Sequence, residues 1–267
     1  MISPPVRISD PDDPRIAAFR SVRERDLVGR EGRFIAEGEV VLRVLLGSRL
    51  CRPVAVLIAE TRLERLSGLL SALPDEVPLY VAPQAVIDAI AGFHLHRGIL
   101  ALGEPVARPS VAELLSGLPV RALVVGLFGI GNHDNMGGLF RNAAAFGADA
   151  VILNTDCCDP FYRKAIRVSV GASLVTPFAR AGEGEDAVAA LQSAGFEVLA
   201  LSPSGATELR NLDPAPRTAV LFGAEGPGLP ASVMDRVRTV RIDMAGGLDS
   251  LNVATASGIV LHHLAGR

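Results

Sequence analysis

Short apolar runs alternate with amphipathic segments along the first hundred residues. Continuous apolar stretches are typical of buried strands, whereas apolar residues at helical spacing, such as Ile16, Phe19 and Val22, predict helices. The predicted strands are Gly32–Glu37, Pro53–Ala59, Pro78–Ala82 and Gly98–Leu102, and the predicted helices are Pro14–Val28, Glu39–Leu46, Arg62–Ser71 and Pro83–Ile90. This order predicts a small α/β domain in which helices pack on a mostly parallel sheet.

A proline-rich stretch, residues 104–119, follows this region and is interpreted as a linker that contains a helical piece. The alternation restarts after Val120. The predicted strands are Ala122–Phe128, Ala150–Leu153, Leu174–Phe178, Val198–Leu201, Ala219–Phe222 and Val237–Ile242, and the predicted helices are Gly137–Phe146, Tyr162–Val170, Glu185–Ala194 and Leu251–Leu264. We expect parallel strands joined by helical crossovers, and hence three segments: domain 1–103, linker 104–119 and domain 120–267.

The composition is that of an ordinary globular protein, with 49% apolar and 21% charged residues. No apolar stretch reaches the roughly 18 residues of a membrane helix, and Met1–Asp13 lacks the apolar core of a secretion signal. We therefore expect a cytoplasmic protein that does not enter membranes. The three cysteines, Cys51, Cys157 and Cys158, fit neither a disulfide framework nor a zinc pattern, so no metal is expected. The adjacent pair is interpreted as buried structural thiols rather than a redox pair.

The net charge of −3 argues mildly against a dedicated nucleic-acid-binding domain. The basic residues are all arginine except Lys164, and residues 15–33 hold the densest basic cluster. Arginine binds phosphate through two parallel hydrogen bonds, so this cluster, which includes Arg20, Arg23 and Arg25, is a candidate for RNA contacts. A solvated helix face explains the same pattern, and the two interpretations stay open.

A glycine-rich turn follows the strand Ala122–Phe128 and raises the possibility of a dinucleotide-binding fold. The fingerprint of that fold needs a third small residue where the helix contacts the strand, and this chain has Asp134 there. No phosphate-binding loop of the Gly-Lys-Ser/Thr type occurs either. A dinucleotide oxidoreductase is therefore disfavoured.

Three glycine-containing segments taken together are more specific. They are DNMGGLFRNAAAFGADAVIL (134–153), AVLFGAEGPGLP (219–230) and VRIDMAGGLDSLNVATASGIVLHHL (240–264). In the first, Asn135 is a candidate N-cap, and Gly137 and Gly138 would let a ligand approach the backbone. In this order, and with FYRKAIRVSVGAS (161–173) between the first two, they resemble the SpoU (TrmH) class of the SPOUT RNA methyltransferases.

The resemblance implies a fold and an activity. It covers about residues 120–267 and implies a parallel sheet with a deep C-terminal trefoil knot, a homodimer, an S-adenosylmethionine site and methylation of a ribose 2′-hydroxyl of tRNA or rRNA. The N-terminal region, including residues 93–98, is similar to the ribosomal-protein-like domain that binds the RNA substrate in several such enzymes. An inactive RNA-binding or ribosome-assembly protein of the same fold is the alternative.

The resemblance also assigns residues. The expected cofactor-binding residues, which act through backbone atoms, are Gly223, Ile242 and Leu251. The expected catalytic residues are Asn135, Arg141, Glu225, Ser250 and Asn252. Arg141 is expected to act as a base or, because arginine stays charged, as a clamp on the adjacent phosphate; Glu225 is equally interpreted as a cap for loop amides. His133, Asp134 and Asp243 depart from the pattern of the class, which puts the choice of target in doubt.

Overall fold

The computed structural model describes residues 4–20, 27–92, 94–182, 186–245 and 250–265. The chain forms two compact units. The first unit comprises Met1–Ala107 and Phe161–Val175, and the second comprises Arg108–Pro160 and Thr176–Arg267. The sequence pattern places residues 161–175 in the second domain, and the structure corrects the division at this segment.

Two contacts explain why residues 161–175 belong to the first unit. The ring of Phe161 stacks on that of Phe34, with centroids 4.9 Å apart, and Arg163 forms an ion pair of 2.9 Å with the buried carboxylate of Glu37. The expected linker is also divided. Val111 and Leu115 are buried in the core of the second unit, which therefore begins before Val120.

The first unit contains a five-stranded sheet of order β1-β4-β3-β5-β2. The strands are β1 (Val6–Arg7), β2 (Phe34–Glu37), β3 (Cys51–Ala59), β4 (Leu79–Ala82) and β5 (Ile99–Pro105). β4 pairs in parallel with β1 and β3, whereas β5 is antiparallel to β3 and β2. Four strands thus run in one direction, as predicted, and β5 runs against them, which the prediction did not include. The alternation of helices and strands does not fix the direction in which the last strand returns.

The second unit contains a seven-stranded sheet of order β10-β12-β9-β11-β6-β7-β8. The strands are β6 (Ala122–Leu127), β7 (Ala150–Leu153), β8 (Phe178–Arg180), β9 (Glu197–Leu201), β10 (Thr207–Glu208), β11 (Arg217–Phe222) and β12 (Arg238–Arg241). All six pairings between neighbouring strands named here are parallel, which confirms the predicted parallel sheet. The central strands β9, β11 and β6 are apolar over most of their length, as expected for a sheet with both faces covered.

Nine α-helices lie within the described residues. They are α1 (Glu39–Gly47), α2 (Ser67–Leu70), α3 (Gln84–Ala91), α4 (Val111–Ser116), α5 (His133–Ala145), α6 (Arg163–Val168), α7 (Ala187–Ser193), α8 (Ala231–Met234) and α9 (Val253–Ala265). Among these described helices, each is too short or too polar to cross a membrane.

Two of the predicted elements differ in type from those of the structure. The predicted helix Pro14–Val28 is a 3₁₀ helix over Pro14–Phe19, and residues 21–26 lie outside the described part of the chain. The predicted strand Leu174–Phe178 is a 3₁₀ turn followed by β8, which starts after Pro177. Proline has no N–H to donate to a sheet, so the strand begins beyond it.

Helices α5 and α9 of the second unit pack against each other at very short range. A Cβ atom on Gly138 would lie 2.6 Å from the Cβ of Ala254, and Asn142 Nδ2 donates to the carbonyl of Ala254 at 2.6 Å and to Ser257 Oγ at 2.9 Å. Gly138 was predicted to admit a ligand. The structure shows instead that it admits helix α9.

Candidate active site

A cavity of about 390 Å³ lies in the second unit, at the carboxyl ends of three neighbouring strands. Leu201, Phe222 and Ile242 line it where β9, β11 and β12 end, and the first residues of α9 close one side. Open parallel sheets bind their ligands at this edge, because the loops after the strands converge there. The cavity is within the size range of small-molecule and cofactor sites.

The loop after β11 forms one wall of the cavity and folds tightly on itself. Gly228 N donates to the carbonyl of Ala224 at 3.0 Å, and a Cβ on Gly223 would lie 2.2 Å from the carbonyl carbon of Gly228. Gly226 and Gly228 have φ values of +86° and +69°, which side chains with a Cβ disfavour. The glycines thus let backbone atoms, rather than side chains, face the cavity.

Asn252 joins three segments that are far apart in the sequence. Its Nδ2 donates to Asn135 Oδ1 and to Glu225 Oε1, both at 2.9 Å. Its Oδ1 accepts from the backbone N–H of Ala254 at 2.9 Å and of Thr255 at 3.3 Å, so Asn252 is the N-cap of α9. The structure therefore brings together three of the five predicted catalytic residues.

The other predicted residues fall into two groups. The three predicted cofactor-binding residues and Ser250 all line the cavity: Gly223, Ile242, Leu251 and Ser250. Arg141 does not. It is exposed on α5 and makes no hydrogen bond or ion pair within the described part of the chain.

Asn135 was expected to cap helix α5, and the structure corrects this. The helix begins at His133, and the cap is Asn132, whose side chain accepts from Asp134 N at 2.8 Å. Asn135 is buried in the first turn, where its side chain is free to accept from Asn252. The sequence suggested the wrong asparagine because both precede the apolar part of the helix.

The cavity wall is apolar except for a few polar groups, and Glu225 is the single ionisable residue among the described residues that line it. A carboxylate without a basic partner in the wall favours a ligand that carries positive charge. Sequence reasoning missed Ser202, Pro203 and Met244, which also line the cavity. Since Ser202 and Pro203 directly follow a predicted strand, the edge rule for parallel sheets was the signal that would have found them.

Burial disfavours the thiolate form of all three cysteines. Burial raises the pKa of Cys51 and that of Cys158 to about 12, and it also raises the pKa of Cys157. The Sγ of Cys157 donates to the carbonyl of Leu127 at 3.3 Å. These environments fit structural thiols.

The basic cluster of residues 15–33 is described only in part. Arg23 and Arg25 lie outside the described residues, as does Phe93. Arg20 forms an ion pair of 3.2 Å with Asp12 and donates to the carbonyl of Asp13 at 2.7 Å. Its guanidinium is thus partly occupied within the chain.

Comparison with known proteins relates both units to RNA methyltransferases. Residues 122–262 match the model of the SpoU rRNA Methylase family. An uncharacterized tRNA/rRNA methyltransferase of Mycobacterium bovis is 42% identical over 265 residues, which are 96% of this chain and 90% of that protein.

Two solved structures share the fold across both units. The AdoMet-bound rRNA methyltransferase from Sinorhizobium meliloti has a TM-score of 0.81 at 24% identity, covering 96% of each chain. A structure described as an RNA 2′-O ribose methyltransferase has a TM-score of 0.76 at 25% identity, covering 97% of each chain. The similarity therefore includes the first unit as well as the second.

Proposed function

Because the chain belongs to the SpoU rRNA Methylase family, we propose that it transfers a methyl group from S-adenosylmethionine to a ribose 2′-hydroxyl of tRNA or rRNA. The family match confirms the resemblance seen in the sequence. The observation that carries the proposal is the junction at Asn252, which links Asn135 of the first motif and Glu225 of the second at the rim of the cavity. The similarity to an RNA 2′-O ribose methyltransferase supports the ribose as the site of methylation.

S-adenosylmethionine is the cofactor that fits the cavity. Its sulfonium and ammonium groups carry positive charge, which is complemented by the carboxylate of Glu225, the one charged side chain among the described residues of the wall. The adenine would lie against the apolar wall, where Gly223, Ile242 and Leu251 offer backbone groups. When bound, the cofactor supplies an electrophilic methyl group that needs no metal for activation.

Arg141 acts on the RNA rather than on the cofactor. Its guanidinium is exposed, has no partner among the described residues and lies outside the wall of the cavity. Arginine is a permanent cation and binds phosphate through two hydrogen bonds. These features favour the clamp role, in which Arg141 holds the phosphate next to the target ribose and orients its hydroxyl.

The polar residues at the rim hold the target ribose. Ser250 and Asn252 line the cavity beside Glu225. The hydroxyl of Ser250 is available to a bound ribose, whereas the amide of Asn252 is engaged within the chain and holds Glu225 in place. Buried Asn135 fixes Asn252 from behind. Rigid placement of these groups matters because positioning lowers the barrier of a reaction between two bound partners.

The remaining parts of the proposal concern assembly. The first unit binds the RNA substrate, the C-terminal segment is knotted and the protein is a homodimer. The knot is supported by the sheet order, because β12, the last described strand, is inserted between β10 and β9 rather than added at an edge. Light scattering tests the dimer, which has twice the chain mass of 28.0 kDa.

The Arg141→Ala variant tests the proposed function. We expect wild-type protein to transfer labelled methyl from S-adenosylmethionine to RNA, and the variant to lose at least ~100-fold in kcat/KM because the phosphate is no longer held. Calorimetry should give both proteins cofactor affinities within a few-fold, since Arg141 lies outside the cavity. A variant with near-wild-type turnover would refute the role of Arg141, and a wild-type protein without methyl transfer would refute the proposed activity.

A further inference from the structure

The first unit contains a second cavity, of about 280 Å³, whose wall is rich in arginine. Arg62, Arg65, Arg97 and Arg167 line it, together with the exposed side chains of Val40 and Val170. Every residue of this wall belongs to the first unit. We call it the arginine pocket.

The positive charge of the arginine pocket is only partly neutralised. Within the described residues, Arg62 and Arg97 make no ion pair, and the one hydrogen bond of the Arg62 side chain goes to the carbonyl of His96, at 3.0 Å. Arg65 and Arg167 each approach a carboxylate only at 3.9 Å. The pocket therefore carries an excess of positive charge on a protein whose net charge is −3, and it is suited to an anion.

Helix α1 adds to the attraction for an anion. Its first-turn residues, Glu39, Val40 and Val41, line the pocket, and its N-cap, Gly38, offers no side chain to accept their N–H groups. The N-terminus of a helix carries partial positive charge and free N–H donors, which together bind phosphate groups. One carboxylate, that of Glu39, faces the pocket from this turn, and it pairs with Arg43 at 3.2 Å.

The rim of the pocket combines apolar exposure with backbone strain. Val40 is 56% exposed and Val170 is 36% exposed. Val170 has a φ of +56° and is the single residue other than glycine with positive φ in the described chain. A β-branched residue at this φ is a strained outlier, and such residues concentrate at binding sites. A glycine there would relieve the strain, so the apolar side chain points to a contact with a ligand.

We propose that the arginine pocket binds one phosphate of the RNA substrate, with the adjoining nucleoside packed against Val40 and Val170. The guanidiniums of Arg62 and Arg97 and the N-terminus of α1 hold the phosphate. The valines pack against the apolar face of a base that is not stacked in a duplex, the form in which RNA bases are accessible to a protein. This inference rests on the proposed function, and it places an RNA contact in the first unit, whereas the cavity for the cofactor is lined by residues of the second.

A matched pair of double variants tests the pocket. Arg62→Ala with Arg97→Ala removes two charges inside it. The control variant, Arg7→Ala with Arg52→Ala, removes two exposed charges of the same unit. These arginines lie outside the pocket, where they pair with Glu60 and Glu104. RNA affinity is measured at several salt concentrations by filter binding. We expect the pocket variant to bind RNA about tenfold more weakly, with a salt slope smaller by about one unit because one phosphate contact is lost. The control pair should match wild type.

Three further measurements separate a lost RNA contact from damage to the fold. Arg97→Lys should recover most of the affinity lost in Arg97→Ala, since it restores the charge. Val170→Gly should weaken RNA binding while leaving the melting temperature unchanged or raised, because it relieves backbone strain. In the pocket variant, KM for RNA should rise, whereas kcat and the affinity for S-adenosylmethionine should stay unchanged.

The outcomes distinguish a failure of the arginine-pocket proposal from a failure of the proposed function. A pocket variant with wild-type RNA affinity and salt slope, in a protein that methylates RNA, overturns the pocket and leaves the function intact. Adenosine monophosphate is titrated as well. If adenosine monophosphate binds the wild-type pocket while the wild type and the pocket variant have the same RNA affinity, the occupant is a free nucleotide and the RNA assignment is wrong. A wild-type protein that neither binds nor methylates RNA overturns the proposed function, and the RNA assignment with it.

Discussion

At the scale of single residues, the side chain of Asn252 has two structural roles. Its oxygen caps helix α9, and its nitrogen donates to Asn135 and Glu225. A carboxamide offers two N–H donors and an accepting oxygen in one side chain. Neither serine nor aspartate offers two donors beside an acceptor, so the position requires asparagine both for the fold and for the site.

Two substitutions separate the helix cap from the hydrogen bonds to Asn135 and Glu225. Asn252→Ala removes the cap and should lower the free energy of unfolding by ~1 kcal/mol. Asn252→Asp retains the acceptor for the helix and should keep most of that stability, but its carboxylate faces Glu225 in place of a donor. Both variants should lose methyl transfer. Chemical denaturation and an activity assay check this, and an Asn252→Asp protein with full activity would show that the junction is dispensable.

The raised pKa values of the cysteines predict slow labelling of the thiols in the folded protein. Because burial raises the pKa of Cys51 and Cys158 to about 12, the thiolate population at pH 8 falls by about a thousandfold from that of an ordinary thiol. A disulfide reagent should therefore react slowly with the native protein at pH 8 and rapidly with all three thiols after unfolding in urea. Fast labelling of the adjacent pair in the folded protein would instead favour a redox role.

At the scale of elements, the contact between α5 and α9 rests on a glycine. Gly138→Ala places a Cβ 2.6 Å from that of Ala254, so the helices must separate, which should cost about 1–3 kcal/mol of stability. Gly258→Ala is the matched control on the facing helix, because its Cβ would lie 3.4 Å from Asn142 Nδ2 and alanine favours a helix. Urea unfolding compares the two, and equal midpoints for Gly138→Ala and wild type would contradict the packing.

The elements also show what a sequence pattern reveals. β7 was predicted with its observed bounds, Ala150–Leu153, because four consecutive apolar residues between turn residues are typical of a buried strand. β1 and β10 were missed: each has two residues, among them Arg7 and Glu208, and so short a pair has no periodicity. The motifs located most of the cavity wall for the same local reason, since each glycine loop directly follows an apolar strand.

At the scale of the whole molecule, the features that the sequence could not predict depend on contacts between residues far apart in the chain. The ion pair of Arg163 with Glu37 joins residues 126 positions apart, and it helps to assign residues 161–175 to the first unit. No window of local sequence contains both partners. The mixed direction of the first sheet and the exposure of Arg141 outside the cavity are likewise set by tertiary packing.

Alkaline digestion of methylated RNA shows directly whether the methyl group lies on a ribose or on a base. The protein is incubated with labelled S-adenosylmethionine and RNA from cells that lack it, and the labelled RNA is hydrolysed in alkali. A methyl group on the 2′-oxygen removes the hydroxyl that attacks the adjacent phosphodiester, so we expect the label to be recovered in alkali-resistant dinucleotides. Label in mononucleotides would mean that a base is methylated, and it would refute methylation of the ribose.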